Sequence, residues 1–270
     1  MALGGGTFQT GGFSEQLGTL KLTANSVIDL GAGASVLKFA ASTGVSWSAT
    51  ALTITNWTGS VKGGGADQLV FGANSSALTA GQVSLVRFAN PAAFPVGTWS
   101  AAILSTGEVM PFTAAPGITS QPADQIALVG NTVSFTVAAN GTPAPAYQWQ
   151  FNTTNLTGAT TSALLLTNVS LSQAGSYSVS VTNLAGVTNS RTAVLSVYAT
   201  AALMLSGAGR LANGQFQFSL TGVPGYDYAV SGSTNLSDWT PLQTNVSPFT
   251  FTDTNTGNYP SRFYRAQWVP

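Results

Sequence analysis

The chain has 270 residues, 6% of them charged, with eight basic and eight acidic side chains, no histidine and no cysteine. Zero net charge without Lys/Arg clusters leaves no electrostatic footprint for nucleic acid or an anionic membrane. The missing histidine and cysteine remove disulfides, thiol chemistry, hydrolytic triads and the usual zinc, copper and non-haem iron ligand sets. Solubility must come from hydroxyls and amides, and the length suits two or three domains, each with its own core.

From the start, "MALGGGTFQT" has neither a basic n-region nor an apolar h-region, so the chain reads as a mature form or a piece of a longer protein. No apolar run approaches the ~20 residues of a membrane-spanning helix. Between residues 18 and 56 a short apolar–polar–apolar unit returns as "LKL" (20–22), "IDL" (28–30), "LKF" (37–39), "VSW" (45–47) and "LTI" (52–54). Regular return of strand-length units separated by Gly, Ala, Ser, Thr and Asn predicts coils stacked as a parallel β-helix, with an antiparallel meander as the competing arrangement. After the loop and strand of "GSVKGGGADQLVF", Thr79 is placed as the N-cap of a short helix carrying Val83, Val86 and Arg87, which is expected to cover the end of the coil. "GTWSAAILSTGEVMPF" returns to strand character.

The strings "GGTFQTGGFSEQLGTLKL", "LTITNWTGSVKGGGADQLVFG", "LTAGQVSLVRFANPAAFPVGTW" and "ILSTGEVMP" make residues 4 to about 113 resemble the C-terminal part of bacterial autotransporter-associated β-strand repeat proteins. That resemblance implies an extracellular β-helical stalk or surface element and says nothing of an activity. The cluster "TAAPGITSQPADQ" then marks a boundary.

Beyond it, "VGNTVSFTVAANGTPAPAYQWQ" and "LLLTNVSLSQAGSYSVSVTNLAGVTNSRTAVLSV" supply the alternating strands of an all-β sandwich. The segment resembles a bacterial immunoglobulin-like domain of the intermediate set. The resemblance makes Trp149 the core tryptophan and Tyr177 the corner tyrosine, and puts Val137 and Val179 where the family has its inter-sheet disulfide. Gln173–Gly175 stands where an acidic residue is common, which leaves one supporting polar contact in question. The last region, from near Ala201, alternates at Gln215–Leu220, "YDYAV", "FTFTD" and "RFYRA", predicting a small β-sandwich. "GYDYAVSGSTNLSDWTPL" with "RFYRA" resembles the C-terminal module of large secreted bacterial proteins. The expected domains are therefore 1–115, 116–199 and 200–270.

Candidate chemistry is sparse. Lys21, Lys38 and Lys62 lie in no nucleophile motif. The acids Glu15, Asp29, Asp67, Glu108, Asp124, Asp227, Asp238 and Asp253 are scattered, and Asp227 and Asp238 sit beside turn residues, so no carboxylate pair for glycoside hydrolysis is predicted. "DTNTGN" (253–258) departs from a calcium loop, with Gly257 fifth and Tyr264 twelfth; an Asx-rich turn is preferred, and calcium held partly by carbonyls stays open as the one cofactor. Trp57 and Trp99, with Trp239, Trp268, Tyr226, Tyr228 and Tyr259, are candidates for a glycan platform. Asn56, Asn74, Asn152, Asn155, Asn168, Asn235 and Asn245 begin N-x-S/T triplets.

These readings converge on a non-catalytic extracellular structural or adhesive protein: a surface stalk, matrix component or fibre subunit. The partner would be a second copy in a head-to-tail polymer, joined by strand addition through the glycine-rich start carrying Phe8 and Phe13. An extracellular polysaccharide-binding module, and a sorting or anchoring region of a larger exported chain, are the alternatives.

Overall fold

The structure, a computed structural model, describes residues 1–199 and 203–269; the expected boundary near Ala201 lies outside them. The protein is all-β, with a parallel coil, an immunoglobulin-like sandwich and a small second sandwich in series.

The coil runs through β1 (Ala2–Gln9), β2 (Glu15–Leu17), β3 (Lys21–Asp29), β4 (Val36–Phe39), β5 (Leu52–Thr55) and β6 (Gln68–Phe71), then α1 (Ala80–Leu85), β7 (Val86–Ala89), β8 (Thr98–Ile103) and β9 (Glu108–Pro111). β1, β3, β5 and β7 stack parallel as one column, and β2, β4 and β6 as the other. Register places like on like: Ile28 pairs Ile54, which pairs Phe88, and Leu37 pairs Leu69, which pairs Val109. Phe39 and Phe71, also in register, stack at 4.9 Å. Each coil thus covers the apolar layer of the one before it, which no single coil could bury alone.

At the far end, β8 pairs antiparallel with β7 and with β9, and β9 pairs with β6. This hairpin bridges the two columns and hydrogen-bonds both terminal strands. Its turn depends on Gly107, at φ +82°, where a Cβ would come within 2.2 Å of the Phe71 carbonyl oxygen. The near end differs, because β1 and β2 terminate the nine-strand path and each pairs on one side alone.

Several sequence expectations are corrected here. "LKL" and "IDL" are one strand, β3, because the intervening residues keep the alternation and Leu22, Ser26 and Ile28 are all buried. "VSW" is not a strand: Val45 accepts from the Gln82 Nε2 amide at 2.8 Å, and the Trp47 indole donates to the Leu20 carbonyl at 2.9 Å. The short helix does start at Thr79, through a capping box in which Thr79 and Gln82 exchange side chain-to-backbone bonds. Val86 and Arg87, however, have left it for β7, and the end of the coil is closed by β8 and β9 rather than by the helix.

The predicted boundary "TAAPGITSQPADQ" is largely a strand, β10 (Ala114–Ser120). It pairs only with β13 (Ala138–Thr142), with a register shift between Ala114 and Gly117, and such an edge tolerates Pro116. The sandwich also contains β11 (Gln125–Leu128), β12 (Val133–Thr136), β14 (Ala146–Phe151), β15 (Thr154–Asn155), β16 (Ala163–Leu166), β17 (Gly175–Asn183), β18 (Gly186–Asn189) and β19 (Ala193–Tyr198). β10 with β13 and β12 with β16 form two short two-stranded sheets; the larger sheet has the order β11-β19-β17-β14-β15, with β18 on β17 and a parallel β11–β19 pair.

Trp149 is fully buried, and the Tyr177 hydroxyl donates to the Gln173 carbonyl at 2.8 Å, closing the tyrosine corner without an acidic neighbour. Val137 and Val179 are buried in the same core, where Phe135 stacks on Tyr177 at 4.8 Å and lies 6.2 Å from Trp149. Apolar and aromatic packing fills the place of a disulfide.

The last module pairs two three-stranded sheets. One has β20 (Met204–Arg210), β21 (Phe216–Thr221) and β24 (Phe249–Asp253); the other has β22 (Asp227–Ser233), β23 (Thr240–Val246) and β25 (Phe263–Trp268). Phe218, Leu220, Tyr228, Val230 and Phe251 form its core.

Candidate functional site

The open end of the coil is built by the first turn of chain. β1 holds to β3 through a bulge between Leu3 and Gly4, with Gly5 and Gly6 at φ +109° and +79°. The Ser26 hydroxyl accepts from the Gly5 amide at 3.1 Å, covering the irregular stretch. After it the strand is regular: Thr7, Phe8 and Gln9 pair Val27, Ile28 and Asp29, and the Thr10 amide donates to Asp29 at 2.9 Å. By strand alternation Phe8 shares the Thr10 direction, so the Thr7 and Gln9 amides face away from β3, toward the unpaired side.

Phe8 is partly buried against the coil core, whereas Phe13, in the turn before β2, is 70% exposed. No side chain from Met1 to Ser14 is charged, so the usual charged side-chain guard of an exposed edge is missing there.

The aromatic candidates do not form one platform. Trp57 is buried, edge-on to Phe88 and Phe94, and its indole nitrogen has no hydrogen-bond partner. Trp99 is half-buried against Phe94 at 5.1 Å, its indole donating to Pro95. Trp57 therefore cannot present a face to a sugar: it lies beyond the end of β5, and the left-handed Asn56 before it breaks the strand alternation and turns the indole into the core. In the last module Tyr228 is buried, Trp239 lies under the Arg265 guanidinium at 4.5 Å, and Trp268 is 6.5 Å from Tyr226.

Asp227 is exposed at the start of β22, while Asp238 accepts from Asn235 at 2.7 Å inside a turn. No group of three or more acidic, histidine or cysteine side chains gathers among the described residues. "DTNTGN" forms the Asx turn: Asp253 Oδ1 accepts from the Asn255 amide at 2.8 Å, and Oδ2 faces Arg262 and the Tyr264 hydroxyl. Of the N-x-S/T asparagines, Asn56, Asn152 and Asn168 occupy left-handed backbone, Asn74 caps a 3-10 turn and Asn235 holds a turn.

Three buried charged groups escaped the sequence reading. Asp67 is fully buried and accepts from the Ser35 amide (2.9 Å), the Thr58 amide (2.7 Å) and the Thr58 hydroxyl (2.6 Å), tying two turns of the coil. Asp253 is buried where the two sheets of the last module meet; Arg262 Nη1 lies 2.7 Å away as a charge contact without hydrogen-bond geometry. Burial and the hydrogen bond to Asp253 push the Tyr264 hydroxyl well above the usual tyrosine range. The signal for Asp253 was available, since alternation in "FTFTD" puts it on the face of Phe251.

Glu108, the third, sits in the closing hairpin. Oε2 accepts from the Gly64 amide at 2.8 Å, Oε1 is buried without a partner, and burial raises the carboxyl's pKa. A raised carboxyl binds its proton in the folded state at pH values where the unfolded chain has released it, so stability falls as pH rises from the unfolded value through the folded one. Glu108→Gln is accordingly expected to raise the melting temperature at pH 7 and to lose that advantage below about pH 4. Thermal melts from pH 3 to 8 check this, and a difference independent of pH contradicts it.

No helix among the described residues is long and apolar enough to cross a membrane. No curated protein matches the chain. Solved structures similar to parts of it include the titin M3 domain (26% identity, 32% of this chain and 98% of that one, TM-score 0.29). The tandem Ig repeats of Dlar are another (27% identity, 32% and 49%, TM-score 0.30), and Sidekick-1 immunoglobulin domains 1–5 a third (18% identity, 37% and 29%, TM-score 0.31). The family model described as "Immunoglobulin domain" matches residues 115–183, the stretch that holds Trp149 and the Tyr177 corner. The middle of this all-β chain is an immunoglobulin-like domain.

Proposed function

We propose that the protein is a non-catalytic structural or adhesive element of the cell surface or extracellular matrix, and that the outer edge of β1 takes up a further β-strand, which for this 270-residue chain is supplied by a second copy. The observation carrying this reading is the asymmetry of the coil: β8 and β9 hydrogen-bond both strands of one end, while β1 and β2 leave theirs unpaired at the other. Parallel stacking of β1, β3, β5 and β7 is the arrangement a stalk-like surface element would use. The immunoglobulin-like domain fits the same role.

Head-to-tail growth through the coil needs an acceptor edge that the hairpin covers, so the pairing proposed is open end to open end. A two-fold axis across the coil reverses strand direction, pairs β1 antiparallel with its copy and stops at two chains. Negative-stain electron microscopy with light scattering tests this. Particles doubled about one end are the expected outcome, and single particles at every concentration contradict it.

A further inference from the structure

We infer that the C-terminal module carries a binding cleft for a neutral saccharide, with Tyr259 as its stacking face. This deepens the adhesive part of the proposed function by naming the ligand class. A cleft of about 210 Å³ lies between the turn that follows β22 and the segment entering β25, with Ser233, Asn235, Asp238, Thr240, Tyr259 and Arg262 in its lining. A second cleft of about 210 Å³ shares Tyr259 and Arg262 with the first and is lined also by Arg210, Phe216, Thr256, Ser261 and Tyr264.

The pair is held rigidly. The Arg262 guanidinium lies 4.4 Å from the centre of the Tyr259 ring, and its side chain is 11% exposed. Its seat depends on Gly232, where a Cβ would come within 2.9 Å of Arg262 Nε. Tyr259, covered on one face by this cation, remains 38% exposed.

The lining selects the chemistry. Among the described residues Tyr259 supplies the large apolar surface of the first cleft and the rest of the lining is small or polar, which argues against an apolar ligand. Arg262 is neutralised by Asp253 at 2.7 Å, and in the first cleft Asp238 carries the remaining charge, so an anion is repelled there; Arg210 in the second cleft offsets Asp238 and leaves the two clefts together without net charge. Asn235 and Ser233 hold the turn among themselves, which leaves Asp238 Oδ1 and the Thr240 hydroxyl to face the cleft. An aromatic face beside a carboxylate oxygen and a hydroxyl matches a sugar ring, whose C–H face stacks on the aromatic while its hydroxyls meet the polar rim. The cleft has room for one ring, and the second cleft extends past Tyr259 for a neighbouring unit.

The test is NMR titration of the full chain with tetrasaccharides of glucose, mannose, galactose and N-acetylglucosamine. Saturable shifts at Asn235, Asp238 and Tyr259 are expected with at least one of them. Tyr259→Phe should retain the affinity, Tyr259→Ala should lose tenfold or more, and Gly232→Ala should weaken binding several-fold by displacing Arg262. No saturable shift with any of the four, or binding that survives Tyr259→Ala, overturns the inference. Either failure leaves self-association, which is read from mass, unaffected.

Discussion

Asp67→Ala is expected to lower the melting temperature of the coil by about 15 °C or more. The side chain is fully buried and receives three hydrogen bonds from Ser35 and Thr58, on turns that follow β3 and β5. Removing it strands the Ser35 amide where water cannot reach it and releases the amide and hydroxyl of the more exposed Thr58 from the turn they hold. A hydrogen bond to a charged group contributes about 1.5–3 kcal/mol and a stranded buried donor costs about 1–3 kcal/mol, so losing this acceptor costs about 4 kcal/mol in all, and each kcal/mol moves a domain of about 100 residues by about 4–8 °C. Asp67→Asn should fall between the two, because one of its terminal atoms becomes a donor facing a donor. Differential scanning calorimetry reads both, and an alanine variant melting within a few degrees of wild type would show that the turns hold without this carboxylate.

The second large effect is expected at the contact between the two sheets of the C-terminal module. Asp253→Ala should destabilise that module by about 3–5 kcal/mol, since it leaves a buried guanidinium without its counter-charge and the Tyr264 hydroxyl without its acceptor. The double variant Asp253→Leu with Arg262→Met should recover most of the loss, because well-packed apolar residues replace such a pair at little cost. Hydrogen exchange over residues 203–269 isolates this module from the others. Equal protection in wild type and Asp253→Ala would mean that the aromatic core alone holds the sheets.

What the sequence made legible follows from the range of the interactions involved. Trp149 and Tyr177 could be placed through the resemblance to an immunoglobulin-like domain, and Thr79 as an N-cap from a turn's own chemistry, while its partner Gln82 emerged only in the structure. The parallel stacking was foreseeable from the return of apolar units. The true pairing was harder: β3 absorbs two of those units, and "VSW" has strand alternation but donates its indole hydrogen bond across the coil to Leu20. A three-residue alternation carries too little information to separate a strand from a turn with a buried aromatic. Closure by β8 and β9 escaped because it depends on pairing with β6 and β7, and a proline-containing edge strand, β10, reads locally as a linker.

The aromatic and charged residues were the least legible. Trp57 and Tyr259 are equally aromatic in sequence, yet one is in the core and the other at a cleft beside an arginine. Nothing local distinguishes them. The difference arises from Gly232 and Asp253, residues on separate strands that together seat Arg262.

The most direct test of the account is sedimentation velocity of the full chain across a wide concentration range, beside Thr7→Pro. Proline at position 7 removes an amide that faces the open side of β1 while leaving the Thr10 bond to β3 in place. The account predicts that wild type approaches twice its 27.5 kDa as concentration rises while Thr7→Pro stays at 27.5 kDa. A wild-type chain that remains single throughout, or a proline variant that pairs as readily, would contradict it.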